Sequence, residues 1–193
     1  MSVAVDIRAA VAADVDPAAR TLAAAFDRYA WTRWSIPEDG YGDRLEQLQR
    51  LYLGYALEQG VVLVSDNLRG VIALLPPTAA APTAEFQDQV ARLHGQRLAA
   101  VAQVATPAQP ENAWNLATLG VHPDSQGAGL GGAMISAGLA AVDQCHSGDT
   151  GVALETSDER NVRLYERSGF RVTATTLIDQ GPTVYSMLRC ATA

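Results

Sequence analysis

One continuous segment in the second half of the chain most limits how it can fold. A strand-like apolar run ends at Val121, and a polar turn follows at residues 122–126. Four glycines stand within residues 127–132, and apolar side chains then recur at helical spacing as far as Val142. A strand that leads through glycines into a helix presents backbone N–H groups to an anion, because no side chain blocks the approach. The segment therefore predicts a phosphate-binding loop.

These glycines fit the dinucleotide fingerprint, but their surroundings do not. Gly127, Gly129 and Gly132 satisfy G-x-G-x-x-G, and Glu155 follows at about the distance where that fingerprint has an acid. However, five residues separate Val121 from the first glycine, whereas the fingerprint needs its glycine directly after the strand. After Glu155 the chain has room for one short helix and an antiparallel hairpin, so further parallel strands are missing. A dinucleotide fold is therefore disfavoured.

A second pattern fits the same loop and continues downstream. Residues 121–131, VHPDSQGAGLG, match V-x-P-x-x-Q/R-G-x-G-x-G/A, with Gln126, Gly129 and Gly131 at the defining positions. Residues 161–170, NVRLYERSGF, resemble a segment that ends in Y-E-x-x-G-F. The two motifs, in this order, resemble the GNAT acetyltransferase superfamily. Within it the chain is most similar to puromycin N-acetyltransferases, with a weaker match between residues 29 and 113.

The resemblance implies an α/β (α+β) GNAT fold, with a central mixed, mostly antiparallel sheet of six to seven strands and about four to five flanking helices. We expect one domain over residues 1–193, with 1–113 mainly on the acceptor side and 114–193 binding acetyl-CoA and catalysing the reaction. Hydrophobic periodicity predicts the elements separately. The strands are expected at 3–9, 61–65, 71–75, 114–121, 151–155, 171–178 and 183–189, and the helices at 17–29, 43–59, 83–104, 130–145 and 157–168.

Composition excludes several functions. The formal net charge of −7 argues against non-specific nucleic-acid binding, which needs cations to neutralise phosphates. All 14 basic residues are arginine, so no lysine can act as a nucleophile. Cys145 and Cys190 predict two unpaired thiols, and the scattered histidines, His94, His122 and His146, predict no metal site. Without an apparent signal peptide or membrane span, we expect a soluble cytoplasmic monomer or homodimer.

The resemblance also implies how the co-substrate, acetyl-CoA, is bound. The backbone near residues 119–121 would pair with the pantetheine arm, and one N–H there would polarise the thioester carbonyl. Residues 126–132 would hold the pyrophosphate; the alternative is that the glycines only allow close packing. The implied cofactor-binding residues are Leu119, Gly120, Val121, Gln126, Gly127, Ala128, Gly129, Leu130, Gly131, Gly132, Asn161 and Tyr165.

Two residues are candidates for proton transfer in direct attack of an amine on the thioester. Tyr165 is the candidate general acid, since a phenol is protonated at neutral pH, and it shares a helical face with Asn161. Its alternative role is a core tyrosine beneath Phe170. Glu155 is the candidate base or the anchor of the acceptor's ammonium group, and its alternative is a solvated or paired surface charge.

An aromatic cluster follows the first expected helix. Tyr29, Trp31, Arg33 and Trp34 are the candidate acceptor-binding residues, because aromatic walls suit a planar amine. The alternative is that the tryptophans pack a helix–loop corner. We expect the acceptor to be a small-molecule primary amine, with puromycin or another aminonucleoside as the first compound to test. Peptide N-acetylation and a catalytically silent CoA-binding sensor are the rival functions.

Overall fold

A seven-stranded sheet forms the centre of the computed structural model, which describes residues 6–145 and 151–190. Its spatial order is β1-β2-β3-β4-β5-β7-β6. The strands are β1 (Ile7–Ala9), β2 (Val61–Ser65), β3 (Gly70–Leu75), β4 (Trp114–Val121), β5 (Val152–Thr156), β6 (Arg171–Leu177) and β7 (Thr183–Arg189). The helices are α1 (Val15–Phe26), α2 (Ala30–Ser35), α3 (Tyr41–Gln59), α4 (Ala84–His94), α5 (Leu98–Ala102), α6 (Leu130–Cys145) and α7 (Glu159–Glu166).

All strand pairs in the sheet are antiparallel except one. β4 and β5 run parallel, and their register contains only Trp114 with Val152 and Asn115 with Ala153. This arrangement confirms the predicted mixed, mostly antiparallel sheet of six to seven strands. In the part of the chain that the structure describes, five helices have eight or more residues, and α2 and α5 are shorter.

Helices cover both faces of the sheet, and β3 shows why its sequence is apolar throughout. Val71 and Ala73 pack into a core with α1 and α3, whereas Ile72 and Leu74 pack into a core with α6 and α7. Successive strand residues point to opposite faces, so a strand buried on both sides needs a continuous apolar run. Gly138 brings α6 close to this strand, because an added Cβ would lie 2.8 Å from Ile72 Cδ1.

The first expected helix was placed wrongly at both ends. α1 begins at Val15 after a 3-10 turn, and Pro17 lies within its first turn, where the missing N–H has no partner to lose. The Asp14 carboxylate closes the preceding 3-10 turn by accepting a hydrogen bond from the Val11 N–H at 2.9 Å. The helix ends at Phe26, where Thr32 Oγ1 donates to the Phe26 carbonyl at 2.7 Å.

The expected helix at 83–104 is interrupted. Thr83 caps α4 by accepting from the Phe86 N–H at 3.2 Å, but α4 ends before Gly95, which has φ +49°. Arg44 on α3 donates to the carbonyls of Arg92 and Leu93, both at 3.1 Å. These bonds satisfy carbonyl groups that a continuing helix would have used, so a distant side chain decides where α4 ends.

Most other predicted elements are confirmed. The β2–β3 and β6–β7 hairpins are antiparallel, α3 covers the predicted 43–59, and Gly169 has the left-handed φ of +87° expected after a helix. Of the first expected strand, residues 3–5 lie outside the described residues, as does His146. Cys145 and Cys190 are free and exposed. Among the described residues, no helix is long and apolar enough to cross a bilayer.

Candidate active site

A cleft opens where β4 and β5 stop pairing. Beyond Asn115 the two strands separate, so the β5-facing edge of β4 is unpaired among the described residues. On its other edge β4 continues with β3, but Ala73 pairs with Thr118 and Leu74 pairs with Leu116. Ala117 is therefore the extra residue of a β-bulge, and it is exposed. The sequence did not predict this bulge, because an alanine within an apolar run carries no signal for one.

A cavity of about 480 Å³ lies at this cleft. It draws its lining from both halves of the chain, from α1 through α4 and from β4, β5 and α7. Six of the predicted site residues line it: Tyr29, Trp31, Leu119, Glu155, Asn161 and Tyr165. The remaining predicted residues, Gly120, Val121, residues 126–132, Arg33 and Trp34, do not line it.

The glycine loop (residues 126–132) joins β4 to α6 outside this cavity. Gly127 and Gly129 have φ of +80° and +85°, a conformation that side-chain-bearing residues rarely adopt. Residues 126–129 are exposed, and within the described residues the N–H groups of 127–132 donate no hydrogen bond. Gln126 Nε2 donates to the Val121 carbonyl at 2.9 Å, which folds the loop back onto the end of β4. The loop thus offers free amides at the N-terminus of a 16-residue helix.

Two of these loop and strand residues have structural roles that are visible in the packing. Leu130 is buried and anchors the start of α6. A Cβ at Gly120 would lie 2.5 Å from Leu22 Cδ2, so this glycine lets α1 approach β4 closely. Gly131 is less constrained, because its nearest neighbour would be Leu164 Cδ2 at 3.5 Å.

Tyr165 packs as a core tyrosine and also lines the cavity. Its ring packs edge-on against Phe170 with centroids 5.6 Å apart, and the residue is only 6% exposed. Its hydroxyl makes no hydrogen bond within the part of the chain that the structure describes, and the residue lines the cavity. Burial raises the pKa of the Tyr165 phenol above its ordinary value, and Tyr29 nearby adds to the rise. The phenol therefore stays protonated at neutral pH.

A hydrogen-bond network joins the α1–α2 segment to the end of β5. The Tyr29 hydroxyl accepts a hydrogen bond from the Ser157 N–H at 2.6 Å and lies 3.0 Å from Thr156 Oγ1. Asn161 Nδ2 donates to the same Thr156 oxygen at 3.4 Å. The Glu155 side chain is exposed beside this network and lines the cavity. Tyr29 thus links the α1–α2 segment to the end of β5 across the cleft.

The other three aromatic-cluster candidates divide between cavity and scaffold. Trp31 lines the cavity. Trp34 packs beneath the β6–β7 turn, where a Cβ on Gly181 would lie 3.0 Å from its ring. Arg33 stacks on Tyr41 at 3.8 Å from the ring centroid and pairs with Asp27 at 2.8 Å. Trp31 also packs against Trp34, with ring centroids 5.3 Å apart, so both tryptophans take part in corner packing and Trp31 in addition lines the cavity.

Several cavity residues were not predicted. Tyr52, Tyr55 and Phe86, from α3 and α4, line the cavity, as do Gln49 and Pro82. Helical spacing places Tyr52 and Tyr55 on the same face of α3 as Leu45 and Leu48, which are buried, yet Tyr52 is 40% exposed. The available signal was the three-residue spacing of two tyrosines beside a Pro-rich connection, which does not distinguish a core from a cavity wall.

Comparisons with known proteins agree with this fold. Residues 87–172 match the family model described as the Acetyltransferase (GNAT) domain. A structure described as histone acetyltransferase HPA2 and related acetyltransferase from Corynebacterium glutamicum ATCC 13032 superimposes with a TM-score of 0.74 and 23% identity. That alignment covers 100% of this chain and 98% of the other.

Two further structures share the fold at lower identity. Mosquito arylalkylamine N-acetyltransferase like 5b aligns with a TM-score of 0.55 and 16% identity over 97% of this chain and 99% of its own. The NatC complex bound to Gag peptide and CoA aligns with a TM-score of 0.53 and 14% identity over 97% and 99% of the two chains. The family-model match and the fold support an acetyl-transferring enzyme of the GNAT type, which implies acetyl-CoA as co-substrate.

Proposed function

We propose that this protein transfers an acetyl group from acetyl-CoA to the primary amine of a small molecule. The observation that carries the proposal is that the chain has both an exposed glycine loop and a cavity at the β4–β5 cleft. The loop suits a pyrophosphate, because its free amides and positive φ values let the backbone approach oxygen atoms directly. The cavity adjoins the unpaired edge of β4, along which a pantetheine arm would run.

Acetyl-CoA supplies an activated thioester, and the residues of the chain provide positioning and proton transfer. The bulge at Ala117 leaves backbone groups of β4 outside the ladder with β3, where an N–H can polarise the thioester carbonyl. The Tyr165 phenol, protonated and without a hydrogen-bond partner among the described residues, donates its proton to the departing sulfur. No acyl-enzyme is needed, since Cys145 and Cys190 are both exposed and lie outside the cavity lining.

Glu155 binds the acceptor amine and accepts a proton from it. Among the lining residues that the structure describes, it is the one charged side chain. Its carboxylate holds the acceptor's ammonium group at the cleft and takes one proton from it, directly or through water, which leaves the free amine that attacks the thioester carbon. After the C–N bond has formed and the C–S bond has broken, the second nitrogen proton replaces the one that Tyr165 gave to the sulfur. Tyr29 and Trp31 form the adjoining wall, and puromycin or another aminonucleoside is the first acceptor that we would test.

Two other functions remain as rivals. A peptide N-acetyltransferase is the second candidate, because the fold is shared with a protein that binds a Gag peptide. A silent CoA-binding sensor would keep the glycine loop but catalyse no transfer. Localisation in the cytoplasm and a monomeric or dimeric state stay predictions.

The deciding experiment measures CoA release from acetyl-CoA with puromycin, simple primary amines and short peptides as separate acceptors. We expect acetylated amine to form with at least one small molecule, as mass spectrometry would show. Peptide-only acetylation would favour the second candidate. A protein that binds CoA and acetylates none of the three classes would refute the enzyme assignment.

A further inference from the structure

Three aromatic rings that the proposed chemistry does not use form one wall of the cavity. Tyr52 and Tyr55 lie three residues apart on α3, and Phe86 lies in the first turn of α4. The ring centroid of Phe86 is 5.9 Å from that of Tyr52 and 5.5 Å from that of Tyr55, with interplanar angles of 59° and 46°. We call these three residues the aromatic wall.

The aromatic wall is held in place by bonds on its far side. The Tyr55 hydroxyl donates to the Ala80 carbonyl at 2.5 Å, and the Ala80 N–H donates to Gln59 Oε1 at 3.1 Å. Thr83 caps the helix that carries Phe86. Because the connection at 76–83 is fastened to α3, the ring of Phe86 is preorganised, and a ligand need not order it.

The surface that the wall offers is open to a ligand. Tyr52 is 40% exposed although it lines a cavity, and its hydroxyl has no hydrogen-bond partner among the described residues. Phe86 is partly exposed in the same cavity. Tilted ring pairs at these separations leave faces and edges on which a further aromatic ring can stack.

The side of the cavity at the end of β5 and along α7 differs in chemistry. The ends of β5 and α7 contribute Glu155, Thr156, Ser157, Asn161 and Tyr165, which are polar or ionisable. One carboxylate without a compensating basic residue in the lining favours an acceptor with a single positive charge and disfavours an anionic one. The cavity therefore suits a ligand with a planar ring at one end and an ammonium group at the other.

We propose that Tyr52, Tyr55 and Phe86 form an aromatic subsite that selects acceptor amines carrying an aromatic or heteroaromatic ring. This inference rests on the proposed function for the use of the amine, but the binding of the ring can be measured without turnover. It assigns selectivity to α3 and α4, whereas Tyr29 and Trp31 adjoin the reacting end of the cleft.

The test compares two amines of similar shape, 2-phenylethylamine and 2-cyclohexylethylamine, by calorimetric binding in the presence of CoA. A merely apolar pocket binds the cyclohexyl compound at least as tightly, because that compound is no less hydrophobic. Stacking on the aromatic wall instead favours the phenyl compound, and we expect a preference of between about two- and tenfold.

Two variants localise the effect. Tyr52→Leu and Phe86→Leu keep apolar volume but remove a ring face, and each should reduce the preference for the phenyl compound to nearly onefold. Asp88→Ala is the matched control, because Asp88 is exposed on α4 and outside the cavity lining. Circular dichroism of each variant verifies that it is folded, and Tyr52→Leu, at a partly exposed position, should fold even if Phe86→Leu does not.

The outcomes separate this inference from the proposed function. Equal binding of the two amines by the unaltered protein, or a preference that survives both variants, would overturn the aromatic subsite even if acetylation is observed. A ring preference that is lost in the variants supports the subsite even if neither amine is acetylated. In that case the proposed acetyl transfer to these amines is refuted, and the aromatic subsite is not.

Discussion

In the function that we propose, the glycine loop and the aromatic wall bind their ligands in opposite ways. The glycine loop is contiguous in sequence, and its chemistry comes from backbone N–H groups that side chains would obstruct. The aromatic wall is assembled from α3 and α4, more than 30 residues apart from Tyr52 to Phe86, and its chemistry comes from side-chain faces. The loop therefore fixes a donor that many enzymes share, and the wall can vary the acceptor without disturbing it.

The largest expected effect comes from a substitution in the glycine loop. Gly129→Val places a β-branched side chain at φ +85°, which forces the loop to change shape. We expect CoA affinity to fall by roughly a hundredfold or more, because several charge-assisted hydrogen bonds of about 1.5–3 kcal/mol each are lost together. Calorimetric titration with CoA measures the loss.

The control for this change is Gly54→Ala on α3, where an added Cβ has no atom within 4 Å. It should leave CoA affinity unchanged. Retained affinity in Gly129→Val would mean that the pyrophosphate binds elsewhere.

Tyr165→Phe tests the phenol that we propose as the general acid for the departing sulfur. We expect kcat to fall by about a hundredfold, the lower range for loss of a general acid, with little change in CoA affinity. Tyr185→Phe removes a phenol that bonds Glu159 outside the cavity, and it should keep full activity. An unchanged kcat in Tyr165→Phe would remove this residue from the mechanism.

The pKa of Tyr165 also predicts a pH profile. Burial raises the pKa of this phenol above its ordinary value of about 10, so the proton is retained as pH rises through the neutral range and is lost only at higher pH. We expect kcat measured from pH 7 to about 9.5 to show no decline caused by this group. A decline in this interval that disappears in Tyr165→Phe would contradict the assignment.

A smaller effect is expected on the acceptor side alone. Glu155→Gln removes the charge but keeps the shape, and it should lower kcat/KM for the amine by about tenfold, as for loss of one partly solvated charge-assisted hydrogen bond. CoA affinity should not change. Glu166→Gln, at an exposed position on α7 outside the lining, is the matched control. Equal losses in both variants would point to a general electrostatic effect.

The smallest expected effect concerns the hydrogen bond between Tyr29 and the Ser157 N–H. Tyr29→Phe leaves the Ser157 N–H without its acceptor, so thermal or denaturant unfolding should show a loss of about 1–2 kcal/mol. KM for the amine should rise a few-fold, since Tyr29 lines the cavity. A stability equal to that of the unaltered protein would show that water replaces the bond.

Features that depend only on neighbouring residues in the sequence were predicted well. Gly169 after α7, the hairpin strands, and the strand–loop–helix unit around Gly127 depend on dihedral preference and periodicity within a few residues, so the sequence alone indicates them. Tyr165 and Asn161 were chosen from the motif resemblance and Glu155 from its position at the end of a strand, and all three line the cavity. Their catalytic roles, like the binding role of the glycine loop, stay predictions.

Predictions failed where a distant group decided the local structure. The expected helix through Val104 ends early because Arg44, from another helix, binds the carbonyls of Arg92 and Leu93. Trp31 and Trp34 have similar sequence surroundings, yet one lines the cavity and the other packs on the β6–β7 turn. No pattern within a single segment records which neighbour a side chain will meet.

The sequence by itself determined the glycine loop and the strand and helix that flank it, because glycine backbone geometry and the order of the two motifs are properties of neighbouring residues. Only the tertiary structure decided the cavity. The bulge at Ala117, the separation of β4 from β5 and the meeting of Tyr52 with Phe86 arise from contacts between elements that lie far apart along the chain. The cavity, and with it the choice of amine, exists only once those elements have packed together.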